Sequence, residues 1–252
     1  MLIFPAERLV FLCTPRCASS SVEEGYAPYA GLVLGGQPGL KHINYSTYEQ
    51  ILKTIVQGRD NDPPPETVCL IRDPIKHLRS WFRYRQRPTQ NDRSRSTRGW
   101  TFDVFIETFL RGNSTAPVDV STQYEFVQDK AREIGLDRIF ALEDLSRFVE
   151  FMNERLDVRI SLPTCNASQS YPAELSPELE ASLRERLAPD LALHEAVVKG
   201  GGHWKNSNTS FDPQPKRGRG STARTAFERS SRRVQFSAGR YSLEKKNSRY
   251  AT

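Results

Sequence analysis

The sequence predicts an α/β domain built on a parallel sheet with helices on both faces, and three observations carry that expectation. Short apolar runs at residues 9–13, 68–71 and 138–142 are each bounded by turn-forming or polar residues. They are too short for core helices, so they read as buried strands. Segments with helical apolar spacing separate them, and such alternation is what a parallel sheet with crossover helices requires. The 252 residues suit one domain of this kind with an appendage.

Leu9-Val10-Phe11-Leu12-Cys13 is the first strand, broken by Pro15. Ser19, Ser20 and Ser21 are good N-cap types, so a helix is expected from about Ser19 toward Tyr26. Residues 31–39 hold four glycines and Pro38 and read as a loop. Tyr48, Ile51, Leu52, Ile55 and Val56 share one helical face that Gly58 closes. The strand over 68–71 ends in Arg72-Asp73-Pro74, and a helix follows from about Ile75 to Arg85. Residues 86–99 are polar and carry Arg87, Arg93, Arg95 and Arg98, which predicts an exposed, mobile loop. Helices are expected over 100–110, 123–134, 144–155, 176–187 and 189–198, the fourth opened by Ser176-Pro177 with Glu178 in its first turn. Residues 163–171 read as a loop. After Gly200-Gly201-Gly202 the composition turns to Ser, Arg, Asn, Gly and Lys. The domain is therefore drawn over 1–200, and 201–252 is expected to be a basic, disordered tail.

Charge follows the same boundary. The chain holds 36 Lys/Arg and 30 Asp/Glu, yet residues 203–252 alone contain 12 basic and 3 acidic ones. The basic excess belongs to the tail. Cys13, Cys17, Cys69 and Cys165 form no C-x-x-C pair, so no zinc or other metal site is expected and free thiols in a reducing, cytoplasmic compartment are the reading. No apolar run approaches the ~20 residues of a membrane span, and no basic-then-apolar leader opens the chain.

Two strand-to-helix junctions carry the chemistry, because ligands of open α/β sheets sit outside the carboxyl ends of the strands. The first is Thr14-Pro15-Arg16-Cys17-Ala18-Ser19-Ser20. A helix start offers unpaired N–H groups to a phosphate or sulfate, Arg16 adds a fixed charge, and the serines add hydroxyl donors. It lacks the G-x-x-x-x-G-K-[ST] pattern of a nucleotide triphosphate loop and an obvious Mg²⁺ ligand set. The second is Arg72-Asp73-Pro74, with Ser80 two turns into the next helix, an arrangement that can grip one phosphate from two sides.

Together the junctions resemble the family of PAPS-dependent sulfotransferases (PAPS being 3′-phosphoadenosine 5′-phosphosulfate), nearest to its bacterial and carbohydrate-acting branches. The family pattern T-P-K-x-[GA]-[ST]-[ST] stands here as Thr14 to Ser20, and R-[DN]-P followed by Ser at the eighth position stands as Arg72, Asp73, Pro74 and Ser80. Weaker matches occur at Gln123 to Asp129, at Glu143-Asp144-Leu145, at Leu162-Pro163-Thr164-Cys165-Asn166 and at Asp190, so the resemblance spans about residues 9–198. It implies a three-layer, P-loop-like fold and a sulfuryl transfer from PAPS, as co-substrate and without metal, to a hydroxyl of an acceptor, an anionic carbohydrate being one class. It also implies that Thr14, Pro15, Arg16, Cys17, Ala18, Ser19 and Ser20 hold the 5′-phosphosulfate and that Arg72 and Ser80 hold the 3′-phosphate. Arg16 would neutralise the leaving oxygen. His42, in Lys41-His42, is the expected base, with Glu23, Glu24 and Glu49 as substitutes.

Three departures from the pattern bear on activity. Arg16 stands where Lys is commoner, Cys17 replaces a hydroxyl residue, and Ala18 replaces Gly, which would strain a loop that needs positive φ. Two rivals are an ATP-dependent P-loop kinase-like enzyme and a noncatalytic nucleic-acid-binding protein acting through the basic tail. The tail shows no recognisable motif for a specific nucleic acid.

Overall fold

A computed structural model describes residues 1–58, 62–87, 93–112, 116–163 and 172–207 of the chain. The chain divides into units Met1–Phe211 and Asp212–Thr252, and the second lies outside the described residues, as do most of the expected 163–171 loop and, from residue 208 on, the expected tail.

Within the first unit β1 (Leu2–Phe4) and β2 (Leu9–Leu12) form a hairpin. They are followed by α1 (Ser19–Tyr26), β3 (Leu32–Val33), α2 (Pro38–Lys41) and α3 (Tyr45–Thr47). A π-helical stretch at Tyr48–Leu52 runs into α4 (Lys53–Gln57). Next come β4 (Glu66–Ile71), α5 (Pro74–Arg85), α6 (Phe102–Leu110), α7 (Gln123–Val127) and β5 (Arg138–Ala141). The unit closes with α8 (Leu145–Leu156), α9 (Pro177–Arg186), α10 (Ala188–Lys199) and β6 (His203–Lys205).

The fold is α/β, but the sheet is mixed rather than parallel. Its order is β3-β1-β2-β4-β5-β6. Only β2, β4 and β5 run parallel; β1 is antiparallel to both β2 and β3, and β6 is antiparallel to β5. The sequence pattern missed β1, β3 and β6 because two- and three-residue strands give no period to read. β6 also moves the edge of the fold past residue 200: His203 to Lys205 pair with Phe140 to Arg138, so this start of the expected tail belongs to the sheet. The expected helix over 123–134 is shorter than drawn. α7 ends at Val127, and a turn closed by Asp129 N–H donating to the Glu133 carbonyl leads to a bridge between Gln128 and Ile134.

The parallel strands β2, β4 and β5 are buried on both faces, as their unbroken apolar runs require. Val10, Leu12, Cys69, Ile71, Ile139 and Ala141 pack on one side with Tyr45, Tyr48, Phe126, Leu193 and Val197, from α3, the π-helical stretch, α7 and α10. Leu9, Phe11, Val68, Leu70 and Phe140 pack on the other with Val22, Tyr26, Phe148 and Met152, from α1 and α8. Each fully buried side chain of this size contributes roughly 1.5–3 kcal/mol relative to leaving it exposed. A third cluster seats α5 on α6 and α9 through Leu78, Phe82, Phe102, Phe105 and Leu183. Among the described residues no helix is long and apolar enough to cross a membrane.

The parallel register fixes where function can sit. Leu12 pairs with Cys69, so β2 and β4 finish side by side and their exit loops adjoin. Gly135 marks a tight point behind them: a Cβ there would come within 2.0 Å of the Tyr45 ring. Gly135→Ala is therefore expected to cost about 1–3 kcal/mol as overpacking, read as a lower urea midpoint at unchanged slope.

Candidate functional site

The two exit loops meet across one cavity. Arg16 Nε donates to Ser80 Oγ at 3.3 Å, and Arg72 Nη1 donates to the Arg16 carbonyl at 3.4 Å. Residues 64 and 56 positions apart are thus in direct contact. The cavity they face has a volume of about 1390 Å³, and among the described residues it is lined by nine cationic side chains against one carboxylate, Glu23. Pro15, Arg16, Ala18, Ser19, Ser20, Arg72, Ser80 and His42 all line it.

The first loop takes its shape from backbone conformations that side chains disfavour. Arg16 has φ +61° and Ala18 has φ +55°. Ala18 is the N-cap of α1 and provides no side-chain cap; the serines expected as caps fall inside the helix instead. The first turn of α1 therefore presents backbone donors uncapped by a side chain at the cavity, the arrangement that binds oxyanions.

Thr14 and Cys17 do not reach the cavity with their side chains. Thr14 is buried, and Cys17 is wholly buried behind the loop, where its thiol donates to Gln123 Oε1 at 3.2 Å. Burial pushes the Cys17 and Cys69 thiols well above their ordinary range, so they are protonated and unreactive. Cys17 anchors the loop rather than offering a donor to a ligand.

That anchor is shared. The same Gln123 Oε1 accepts the Arg72 backbone N–H at 2.9 Å, and Gln123 Nε2 donates to the Arg72 carbonyl at 2.7 Å. One buried amide thereby continues the ladder past the end of β4 and pins both loops. α7, which carries it, is held at its N-terminus by a Thr122–Glu125 capping box and by buried Asp190, whose Oδ1 accepts the Tyr124 N–H at 2.9 Å. On the other flank Glu143 accepts the Asp73 N–H at 2.9 Å and meets His194 Nε2 at 3.3 Å. Burial alone would raise the Glu143 pKa, but the bonds from His194 and the Asp73 backbone outweigh it and hold it at about 2. Gln123, Glu143 and Asp190 lie in the weaker family matches, where sequence alone assigns them no contact.

Two histidines play different parts. His77 is buried on α5 and its Nε2–H donates to the Pro15 carbonyl at 3.1 Å, bracing the first loop. Burial drives its pKa down to about 3, with Arg72 and Arg16 adding to the shift, so it is neutral. His42 lines the cavity, and its Nδ1–H donates to the Cys13 carbonyl at 2.6 Å. That bond fixes the tautomer and leaves Nε2 as the acceptor; burial lowers the pKa, so the ring is neutral near pH 7. Of the substitute bases, Glu23 is engaged by Lys41, Glu24 is exposed, and Glu49 pairs with Lys53 outside the cavity lining.

Arg16 is the most compressed cation. Its guanidinium lies 4.4 Å from the centroid of the Tyr84 ring, and burial followed by repulsion from Arg87 lowers its pKa to about 10, which leaves it charged at neutral pH. The Arg72 and Arg79 Nε atoms and Trp81 Nε1 are buried without a hydrogen-bond partner. Among the described residues no group of three His, Cys, Asp or Glu side chains could hold a metal ion.

Within the expected exposed loop at 86–99, Ser94, Arg95, Arg98 and Gly99 are exposed and Thr97 is buried, while residues 88–92 lie outside the described residues. Arg85 is buried, donates to the Asp119 carbonyl at 2.8 Å and stacks on Trp81, while Thr97 Oγ1 donates to the Phe82 carbonyl at 3.1 Å. Arginine packed on aromatic rings is invisible to a reading by charge density alone. No protein-family model, curated protein or solved structure matches the chain.

Two substitutions test this geometry. Ala18→Gly relieves a left-handed alanine, so it is expected to raise stability by up to about 1 kcal/mol in urea titrations, the glycine's extra unfolded-state entropy offsetting part of the 1–2 kcal/mol strain. For His77 the unfolded chain takes a proton as pH falls through about 6.5, whereas the folded chain refuses it until about 3. Stability is therefore complete above pH 6.5 and declines below it. Between pH 6.5 and 5 the wild type is expected to lose about 2 kcal/mol more than His77→Gln, measured as the difference of two urea midpoints at each pH.

Proposed function

We propose that the protein is a sulfotransferase on a P-loop-like version of the α/β fold, moving a sulfuryl group from PAPS to an acceptor hydroxyl. The observation that supports it best is the meeting of Arg16, Ser80 and Arg72 on one cationic cavity at the uncapped start of α1. A donor with a phosphate monoester, a second phosphate and a sulfate needs several anion sites close together, and Arg16, Arg72 and Ser80 line one cavity. In this reading Arg16, Ser19, Ser20 and the loop backbone hold the 5′-phosphosulfate. Arg72 and Ser80 hold the 3′-phosphate, and Thr14 and Cys17 contribute through backbone and packing.

The acceptor oxygen forms a bond to sulfur while the bond from sulfur to the phosphate oxygen breaks. His42 Nε2, the unbonded ring nitrogen, takes the acceptor's proton. The negative charge that grows on the departing phosphate faces Arg16, already fixed between Ser80 and Tyr84, so no reorganisation is needed at that moment. Adenosine 3′,5′-bisphosphate leaves.

Calorimetric titration of the whole chain checks the reading. Adenosine 3′,5′-bisphosphate is expected to bind on the order of micromolar, about −8 kcal/mol, without added metal and well ahead of 5′-AMP and of ATP with Mg²⁺. Preference for ATP with Mg²⁺ would replace the reading with a kinase, and binding of nucleic acid alone would replace it with the tail-driven module. Arg72→Ala is expected to weaken the bisphosphate roughly 10- to 100-fold and leave 5′-AMP nearly unchanged. His42→Gln is expected to lower turnover by roughly 10²- to 10⁴-fold at unchanged nucleotide affinity.

A further inference from the structure

The exposed apolar side chains of this molecule are gathered in one stretch of chain. Among the described residues eight large apolar side chains are exposed, and six of them, Tyr29, Leu32, Val33, Leu40, Ile51 and Ile55, lie between Gly25 and Gly58. The same stretch is nearly free of charge. No residue from Gly25 to Leu40 is charged, and from there to Gly58 only Lys41, Glu49 and Lys53 are, in a chain that is 26% charged overall. Glu49 pairs with Lys53 and Lys41 with Glu23, so each of the three has an opposite charge beside it.

Consecutive elements carry this surface. β3 is the outermost strand of the sheet, and Leu32 and Val33, which point to its opposite faces, are both exposed. The Met1 nitrogen donates to the Leu34 carbonyl at 2.9 Å and to the Lys41 carbonyl at 3.0 Å, which ties α2 and its exposed Leu40 beside the end of β3. In the helical run that follows, Leu52 and Val56 pack on the same core cluster as Leu34, while Ile51 and Ile55, one turn apart, stand 61% and 73% exposed. The apolar stripe read over 48–56 is thus wider than the core uses. Exposed faces of ordinary helices are polar, so the surplus calls for a partner.

The charge beside this surface identifies the partner. Gly36, Gln37, Pro38 and Lys41 also line the cavity, so the uncharged stretch forms part of its rim, next to nine lining cations and one carboxylate among the described residues. A second copy of the chain seated on this rim would bring two such cavities together, and their repulsion opposes it. An anionic lipid bilayer meets both demands: its hydrocarbon takes the apolar side chains and its headgroups face the cations. Residues 203–252, with 12 basic and 3 acidic side chains, add the second, electrostatic signal that stable attachment needs.

We propose that the uncharged surface carried by β3, α2 and the exposed side of the helical run 45–57 docks on an anionic lipid bilayer, with Leu32, Val33, Leu40, Ile51 and Ile55 entering the boundary between headgroups and acyl chains. Docked in this way, the cavity opens at the level of the headgroups.

The test is sedimentation of the full chain, without nucleotide, with vesicles of phosphatidylcholine alone or with about 30% phosphatidylserine. The wild type is expected to partition onto the anionic vesicles roughly tenfold or more above the neutral ones. Leu32→Ser/Leu40→Ser/Ile51→Ser/Ile55→Ser is expected to lose roughly tenfold or more of that partition at an unchanged melting temperature, since every altered side chain is exposed. Val104→Ser/Val198→Ser, which alters the two exposed apolar side chains outside the stretch, is expected to bind as the wild type does. Leu40→Trp is expected to be quenched by brominated lipid beyond the wild-type signal, and Val104→Trp is not.

No binding of the wild type to anionic vesicles overturns the docking surface. Binding of the quadruple variant at the wild-type level leaves the basic region alone responsible and overturns it too, as does an equal loss in the valine variant. Absence of quenching at Leu40→Trp overturns it even where the quadruple variant fails to fold. A wild type that sediments as a dimer without lipid, beside a monomeric quadruple variant, gives the surface to a second copy instead. Vesicle binding needs no nucleotide, so its failure leaves the donor reading standing, and failure of bisphosphate binding leaves the docking surface standing.

Discussion

The candidate site depends on holding two arginine-bearing loops together against their own repulsion. Arg16 and Arg72 lie at the ends of neighbouring parallel strands, and burial, then Arg87 and Arg72, lower the Arg16 pKa in the half-buried cleft. Among the described residues the one carboxylate in the lining, Glu23, is engaged by Lys41. Neutral groups do the holding instead. Gln123 ties Cys17 to the Arg72 backbone, His77 ties the Pro15 carbonyl to α5, and Ser80 receives Arg16. Neutral braces leave the positive potential uncancelled, whereas a carboxylate would stabilise the loops and cancel the field an anion needs. Glu143 is the instructive contrast. It is ionised, but it spends its charge on His194 and the Asp73 N–H at the base of the loop, away from the arginines.

Backbone strain is concentrated at the same place. Two of the five non-glycine residues with positive φ among the described residues, Arg16 and Ala18, flank Cys17. Each costs on the order of 1–2 kcal/mol, and the surrounding bonds keep the conformation in place. The gain is an α1 that begins without a side-chain cap and turns its first donors outward. Stability and binding capacity are opposed here: a serine cap in the usual position would satisfy a donor that the cavity now exposes.

The histidines show how one residue type is differentiated by what it touches. His77 and His42 both donate to a backbone carbonyl of the first loop or the strand before it, and both are kept neutral by burial. His77 is nearly sealed, so its second nitrogen meets only protein, whereas His42 lines the open cavity. His194 sits beside Glu143, and His203 stacks on Phe140 at the sheet edge. Only His42 combines a fixed tautomer with access to the cavity.

The sequence by itself determined the α/β class, the three central strands and both strand-to-helix junctions. Buried parallel strands are continuous apolar runs, and a proline or a helix start at their ends is a local signal. It also marked Ala18 as a strained alanine, because positive φ is a local property. Tertiary structure decided the rest. The two- and three-residue strands β1, β3 and β6, which make the sheet mixed, exist only because a neighbouring strand pairs with them. Cys17 faces inward, α7 stops at Val127, and Arg85 is buried on Trp81, each through a partner far along the chain or an aromatic surface. Gln123 could not be given its role from sequence, since its three bonds join residues 51 and 106 positions away. Periodicity reports which face of an element is buried; which buried amide meets which loop is settled only when strands pair and bring distant residues within hydrogen-bond reach.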